Sequence, residues 1–155
     1  MATQMQLARE GKITDEMKQV AADEQIDVEV IRECVAKGTI AIPANINHKG
    51  LKARGVGEGL RIKVNANIGT SSTYPDIDPE ILRLEEAVRC GADAVMDLST
   101  GSNIDLSRKT IIEHSPIMVG TVPLYQATVR AIREHGAVVD MTEEDILETI
   151  EKQAR

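Results

Sequence analysis

The sequence predicts an α/β fold: an N-terminal helical segment followed by three βα units with a parallel sheet. Two observations carry this. Short, mostly apolar runs ending at Ile68, Ser99 and Val122 alternate with amphipathic stretches of helical length, the pattern of parallel strands joined by crossover helices. The core must also be aliphatic, because the 155 residues hold two tyrosines, Tyr74 and Tyr125, and no Phe or Trp.

The elements follow in order. Residues 1–60 read as a helical segment and loop. Thr14 caps TDEMKQVAADEQ, with Asp15 and Glu16 in the first turn, where the helix dipole favours acids. Asp27 opens DVEVIRECVAKG, in which Val28, Ile31 and Val35 keep helical spacing and Gly38 is the stop. TIAIPAN alternates like a short strand and is cut by Pro43, and the glycine-rich stretch 45–60 reads as loop. Residues 61–155 form the second unit. RIKVNANI reads as a strand. Asp78-Pro79-Glu80 caps and starts a helix to about Cys90. ADAVMDLS is the second strand, 103–114 a helix, and the third strand begins after Pro116. LYQATVRAIREHG is a helix closed by Gly136, and Thr142 caps a last helix with Asp145 three residues on. Three strands are too few for a comfortable open sheet, and a TIM barrel needs eight such units and about 250 residues. The chain therefore reads as the front of something larger.

Composition narrows the function. A net charge of −7 and so few aromatics disfavour nucleic acid, which calls for a basic groove or a stacking platform. MATQMQLAREGKIT has no signal-peptide core, and no apolar run approaches the roughly 18 residues of a membrane span. Cys34 and Cys90 lack a second ligand at metal spacing and read as reduced, buried thiols. A cytoplasmic protein without membrane partners is expected.

In parallel α/β sheets ligands bind beyond the carboxyl ends of the strands. Here those ends read Asn67-Ile68-Gly69-Thr70-Ser71-Ser72, Met96-Asp97-Leu98-Ser99-Thr100-Gly101-Ser102 and Val119-Gly120-Thr121 through Gln126. Any one run is ordinary turn and cap chemistry. Three on adjacent strands converge on one rim, suited to a small polar or phosphorylated ligand. Asn65 and Asn67 share a strand face, and a buried amide without a partner costs on the order of 1–3 kcal/mol. Backbone or ligand should therefore satisfy them. Asp97 fits a general base, a metal ligand or a turn cap, with spacing favouring the cap. Tyr125 fits a ligand hydroxyl contact or half-buried packing with a wet tip.

Other motifs are bland. Gly55-Val56-Gly57-Glu58-Gly59 precedes a strand, where a dinucleotide fingerprint follows one. His48, His114 and His135 show no metal spacing and read as surface or loop residues, and no metal is assigned to this chain.

The strand ends KVNANIGTS, GADAVMDLSTG and VGTVPLYQA, together with TQMQLAREGKIT and RGVGEGLRIKVNANIG, closely resemble successive motifs of the phosphomethylpyrimidine synthase family, in order and over nearly the whole chain. The resemblance implies a radical S-adenosylmethionine lyase with a TIM-type barrel, which this chain would supply only in part, as an incomplete barrel. Such enzymes use a [4Fe-4S] cluster, S-adenosylmethionine and a divalent metal, zinc or iron. They convert aminoimidazole ribotide into 4-amino-5-hydroxymethyl-2-methylpyrimidine phosphate for thiamin. Carried over by motif, Asn67 would hydrogen-bond the ribotide, Met96 would pack on it and Tyr125 would offer its hydroxyl. Asn65 has no family role and is expected to support the barrel interior.

The family's CxxCxxxxC cluster run is missing from this sequence, and Cys34 and Cys90 match no cluster position. The isolated chain is therefore expected to be inactive, and either to self-associate or to pair with the remaining part of the barrel. The related 5-hydroxybenzimidazole synthases share the motifs and the substrate. A non-catalytic ribotide-binding or assembly module is the alternative from outside the enzymes.

Overall fold

The computed structural model describes residues 2–154. Its N-terminal part packs three helices: α1 (Gln4–Arg9), α2 (Asp15–Glu24) and α3 (Val28–Lys37). Helix α1 is not among the expected elements. Its signal is a T-x-x-Q capping box, in which Gln6 N donates to Thr3 Oγ1 (3.2 Å) and Thr3 N to Gln6 Oε1 (2.8 Å). Helices α2 and α3 start at the expected caps: Thr14 Oγ1 accepts Met17 N (3.2 Å) and Asp27 Oδ1 accepts Glu29 N (2.8 Å). Met17, Val20, Ile31 and Val35 from their facing sides bury with Ile40, Ile42 and Ala53 in one apolar cluster.

The strand expected over 39–45 shortens to β1 (Ile40–Ala41), paired antiparallel with β2 (Val56–Gly57) in the stretch expected as loop. Gly57 makes that pairing possible. Its φ is +154°, and a Cβ there would lie 2.1 Å from the Thr39 carbonyl oxygen, so no side chain fits.

The second part holds three parallel strands, β3 (Asn65–Ile68), β4 (Ala94–Asp97) and β5 (Met118–Thr121), adjacent in chain order. Helices α4 (Asp78–Arg89) and α5 (Ile104–His114) connect them, and α6 (Pro123–His135) and α7 (Glu143–Ala154) follow. Ile68 and Val95 bury with Leu84 of α4 and Ile111 of α5, so both crossover helices cover the same face of the sheet. Thr142 and Asp145 close α7 reciprocally, Thr142 N donating to Asp145 Oδ2 (2.8 Å) and Asp145 N to Thr142 Oγ1 (3.2 Å).

Two details correct the expectations. The strand expected over 61–68 joins the ladder only from Asn65. Residues Arg61 to Val64 are instead held by Asp93, which accepts Val64 N (2.9 Å) and Arg61 Nη1 (2.9 Å) while its own N–H donates to Val64 O (2.8 Å). An ion pair between Lys63 and Glu24 (2.7 Å), almost sealed from solvent, fixes the same segment to α2. The second detail is the start of α4. Asp78 is its first residue rather than its cap, and Ile77 offers no side-chain cap. Among the described residues no helix is long and apolar enough to cross a membrane.

Candidate functional site

Parallel pairing sets Asn67 opposite Met96 and Met96 opposite Gly120. Residues so paired point to the same side of a sheet, here the side turned away from Ile68, Val95 and the helices. Gly120 gives Met96 its place: a Cβ on Gly120 would come within 2.9 Å of Met96 Cε and Sδ, so the thioether lies across the glycine. Asn65 shares this face, and its Nδ2 donates to Asn67 Oδ1 at 3.0 Å. Both asparagines are exposed and Met96 is half-buried. The partner the amides need is, in the first instance, each other.

Behind this row the strand ends are locked together. Leu98 N donates to Ile68 O (2.8 Å), Thr70 N to Ser99 Oγ (3.0 Å) and Thr100 N to Thr70 O (2.8 Å). The buried Glu80 of α4 accepts Gly69 N at 2.7 Å. Gly69 has φ +143°, and a Cβ there would meet Ser99 N at 2.6 Å and Leu98 C at 2.7 Å. Two loops thus pass backbone against backbone. The expectation that these hydroxyls line a ligand rim is corrected at Thr70 and Ser99: both residues are buried, and the Ser99 hydroxyl accepts the Thr70 N–H of the neighbouring loop.

Asp97 takes the turn-cap role. It lies on the helix side of the sheet, 5% exposed, and its Oδ1 accepts Ser99 N (3.0 Å) and Ser99 Oγ. Burial pushes its carboxyl above the ordinary range, against the Ser99 hydrogen bonds that favour the ionised form.

The third strand end differs. Thr121 Oγ1 donates to Gln153 Oε1 (2.7 Å), and Gln126 joins Asp105, Arg108 and Gln153 in a polar network. Tyr125 stands in the first turn of α6, 42% exposed, its N–H bonded to Val122 O (3.0 Å). The fold therefore brings Asn67 and Met96 side by side and sets Tyr125 just past the end of the third strand.

A cleft of about 400 Å³ opens between α5, α6 and α7. Its cations are already paired: Arg130 with Glu134 (2.9 Å) and Glu148, Lys152 with Asp105. Beside it, Glu134, His135 and Asp145 bring possible metal-ligand atoms together. Arg130 supplies the cation there, and Asp145 also accepts both Thr142 donors and sits 3.2 Å from His135 Nε2. This cluster fits an ion-pair network better than a metal.

The two thiols are fewer than the four thiolates that hold the common iron–sulfur clusters. Cys34, expected buried, is half-buried and packs against the N-terminal apolar cluster. Cys90, expected buried, is exposed at the end of α4, with Sγ donating to Glu86 Oε1 (3.3 Å), a bond that raises its thiol above the ordinary range. His48, expected at the surface or in a loop, lies in a loop but is buried, Nε2–H donating to Ser115 O at 2.6 Å.

Sequence reasoning missed Glu80 and Gly120. Glu80 was readable only as a first-turn acid, and Gly120 only as one more small residue at a strand end.

A parallel sheet with helices on one face and a polar and thioether row on the other defines an α/β protein with a candidate small-molecule site at the strand ends. Residues 3–155 match the Radical SAM ThiC family, and the chain belongs to that family. It is 56% identical over 153 residues to the phosphomethylpyrimidine synthase of Thermoanaerobacter sp. (strain X514), covering 99% of this chain and 35% of that protein. The phosphomethylpyrimidine synthase of Moorella thermoacetica is 52% identical over 98% of this chain and 35% of its own length. The 5-hydroxybenzimidazole synthase BzaB of the same organism is 53% identical over 96% of this chain and 35% of its own. The chain thus spans about a third of the length of the curated relatives it matches.

Proposed function

We propose that this chain forms one arc of the substrate site of a phosphomethylpyrimidine synthase, the enzyme that converts aminoimidazole ribotide into 4-amino-5-hydroxymethyl-2-methylpyrimidine phosphate in thiamin biosynthesis. The observation that carries the proposal is the row Asn67, Met96, Gly120 on the uncovered face of the sheet, joined to membership of the family. In this reading the Asn67 amide hydrogen-bonds the ribotide, the Met96 thioether packs against it, and Tyr125 contributes its hydroxyl from the start of α6. Asp97, turned to the helix side, keeps the strand end in shape and takes no part in chemistry.

The proposal divides the chain at about residue 60, supported by separate apolar clusters on either side. It also takes the sheet as the opening of a TIM-type barrel. Strands in chain order with α4 and α5 on one face support that, because a doubly wound sheet would place helices on both. The cluster, S-adenosylmethionine and divalent metal of the family belong, in this proposal, to residues outside the third of the protein spanned here. The whole enzyme works in the cytoplasm, where thiols stay reduced.

The uncovered edge of β3, beside exposed Ile62, Val64 and Leu82, is proposed to take a further strand, from the rest of the barrel or from a second copy. A second enzymatic reading, 5-hydroxybenzimidazole synthesis, is favoured by the 53% identity to BzaB. Product analysis of an active enzyme carrying this segment separates the two.

Calorimetric titration of the chain with aminoimidazole ribotide tests the site. Asn67→Ala and Tyr125→Ala should each weaken binding about tenfold, the equivalent of one hydrogen bond. No binding, or binding indifferent to both changes, removes the site from this chain.

A further inference from the structure

Asn65 has no place in the substrate site proposed above, yet its side chain hydrogen-bonds that of Asn67. Their side chains sit two residues apart on one strand face, about 6.6 Å along the chain, a gap that two amides span. Asn65 Nδ2 is the donor and Asn67 Oδ1 the acceptor, at 3.0 Å. An amide carries one oxygen and one NH₂ group, both in its plane and on either side of the Cβ–Cγ axis. With its oxygen held back toward Asn65, the Asn67 amide presents its NH₂ to the uncovered face, and among the described residues that NH₂ has no hydrogen-bond partner.

We propose that Asn65 is a positioning residue, fixing which way round the Asn67 amide stands so that the site offers a donor. This rests on reading Asn67 as a substrate contact. It deepens that reading: the matching atom on the substrate is an acceptor, a ring nitrogen lone pair or a sugar or phosphate oxygen, and never an N–H. Both side chains are exposed, so their bond adds little to stability and substitutions at Asn65 leave the fold in place. Orientation, not folding, is what they change.

The discriminating variant is Asn65→Asp. A carboxylate only accepts, so it turns the Asn67 amide round, drawing its NH₂ back and exposing Oδ1. Asn65→Ala removes the restraint without imposing the opposite orientation. In titrations with aminoimidazole ribotide, Asn65→Asp should weaken binding about tenfold or more and Asn65→Ala about threefold, while thermal unfolding stays put. The order should survive about 0.5 M salt, which screens the added charge. In ¹H–¹⁵N spectra without ligand, Asn65→Asp should shift the Asn67 side-chain NH₂ resonances, now bonded to the carboxylate. Wild-type binding by Asn65→Asp beside weakened Asn67→Ala overturns the inference and leaves the substrate contact standing. If Asn67→Ala also binds like wild type, the contact itself fails and the spectra decide: unmoved Asn67 NH₂ resonances in Asn65→Asp overturn the orienting role, and shifted ones support it.

Discussion

Glu80, 1% exposed in the first turn of α4, accepts the backbone N–H of Gly69 at 2.7 Å. The contact fastens the strand end that carries Asn67 to the helix that follows it. The other Glu80 oxygen is closed by the exposed guanidinium of Arg83. A buried charge is thus made tolerable by one backbone donor and one cation, and the loop between β3 and α4 is anchored at its base.

Removing that carboxylate leaves the half-buried Gly69 N–H without an acceptor. Glu80→Ala should cost about 1.5–3 kcal/mol, and Glu80→Gln, which keeps an amide oxygen in reach, about 1 kcal/mol. Urea denaturation midpoints check the order. Equal losses would place the effect in packing rather than in the hydrogen bond.

Two glycines of the site should respond to alanine to very different degrees. At Gly69 the added Cβ meets backbone, Ser99 N at 2.6 Å and Leu98 C at 2.7 Å, with φ at +143°, so Gly69→Ala should destabilise by about 3 kcal/mol or more. At Gly120 it meets the far end of Met96 at 2.9 Å, which can move. Gly120→Ala should cost under about 1 kcal/mol yet weaken ribotide binding about threefold or more by lifting Met96 from its seat. Thermal unfolding and calorimetry on the same two variants read both effects.

Asp93 fastens Arg61 and Val64 to the start of β4 and sets an acid limit. Its hydrogen bond from Arg61 is the foremost influence holding the carboxyl below the ordinary carboxylate value of 3.8, and the Val64 N–H adds to it. A depressed acid contributes stability above its unfolded pKa and loses it as pH falls through the folded one. Asp93→Asn should therefore be less stable than wild type by about 1–3 kcal/mol at pH 7, and the gap should close as pH drops below about 4. A gap that stays constant down to pH 2.5 would show that Asp93 acts without its charge.

Much of this was legible in the sequence because caps and periodicity are local. Thr14, Asp27, Gly38 and Thr142 each mark a helix end with their own side chain or backbone, and alternation alone puts Asn65 and Asn67 on one face. What escaped depends on distant partners. Arg61 to Val64 look like strand but serve Asp93, some thirty residues away in sequence. Thr70 and Ser99 look like ligand hydroxyls until the two loops are side by side. The match of Asn67 to Met96 and Gly120 is a register, and no single run of residues states a register.

The uncovered edge of β3 predicts association. Sedimentation or light scattering of the chain should show mass rising with concentration, and Ile62→Lys, at a position 89% exposed, should suppress it without loss of stability. A stable monomer at high concentration would contradict the open-edge account.

The central claim, that the row Asn67, Met96, Gly120 receives the ribotide, is tested most directly by mapping where aminoimidazole ribotide perturbs the ¹H–¹⁵N spectrum of the chain. Shifts should gather at residues 65–70, 94–98 and 118–126, with the Asn67 side-chain amide among the largest, and none should fall in α2 or α3. Shifts centred on the N-terminal helices or on the cleft between α5, α6 and α7, with Asn67 unmoved, would contradict it.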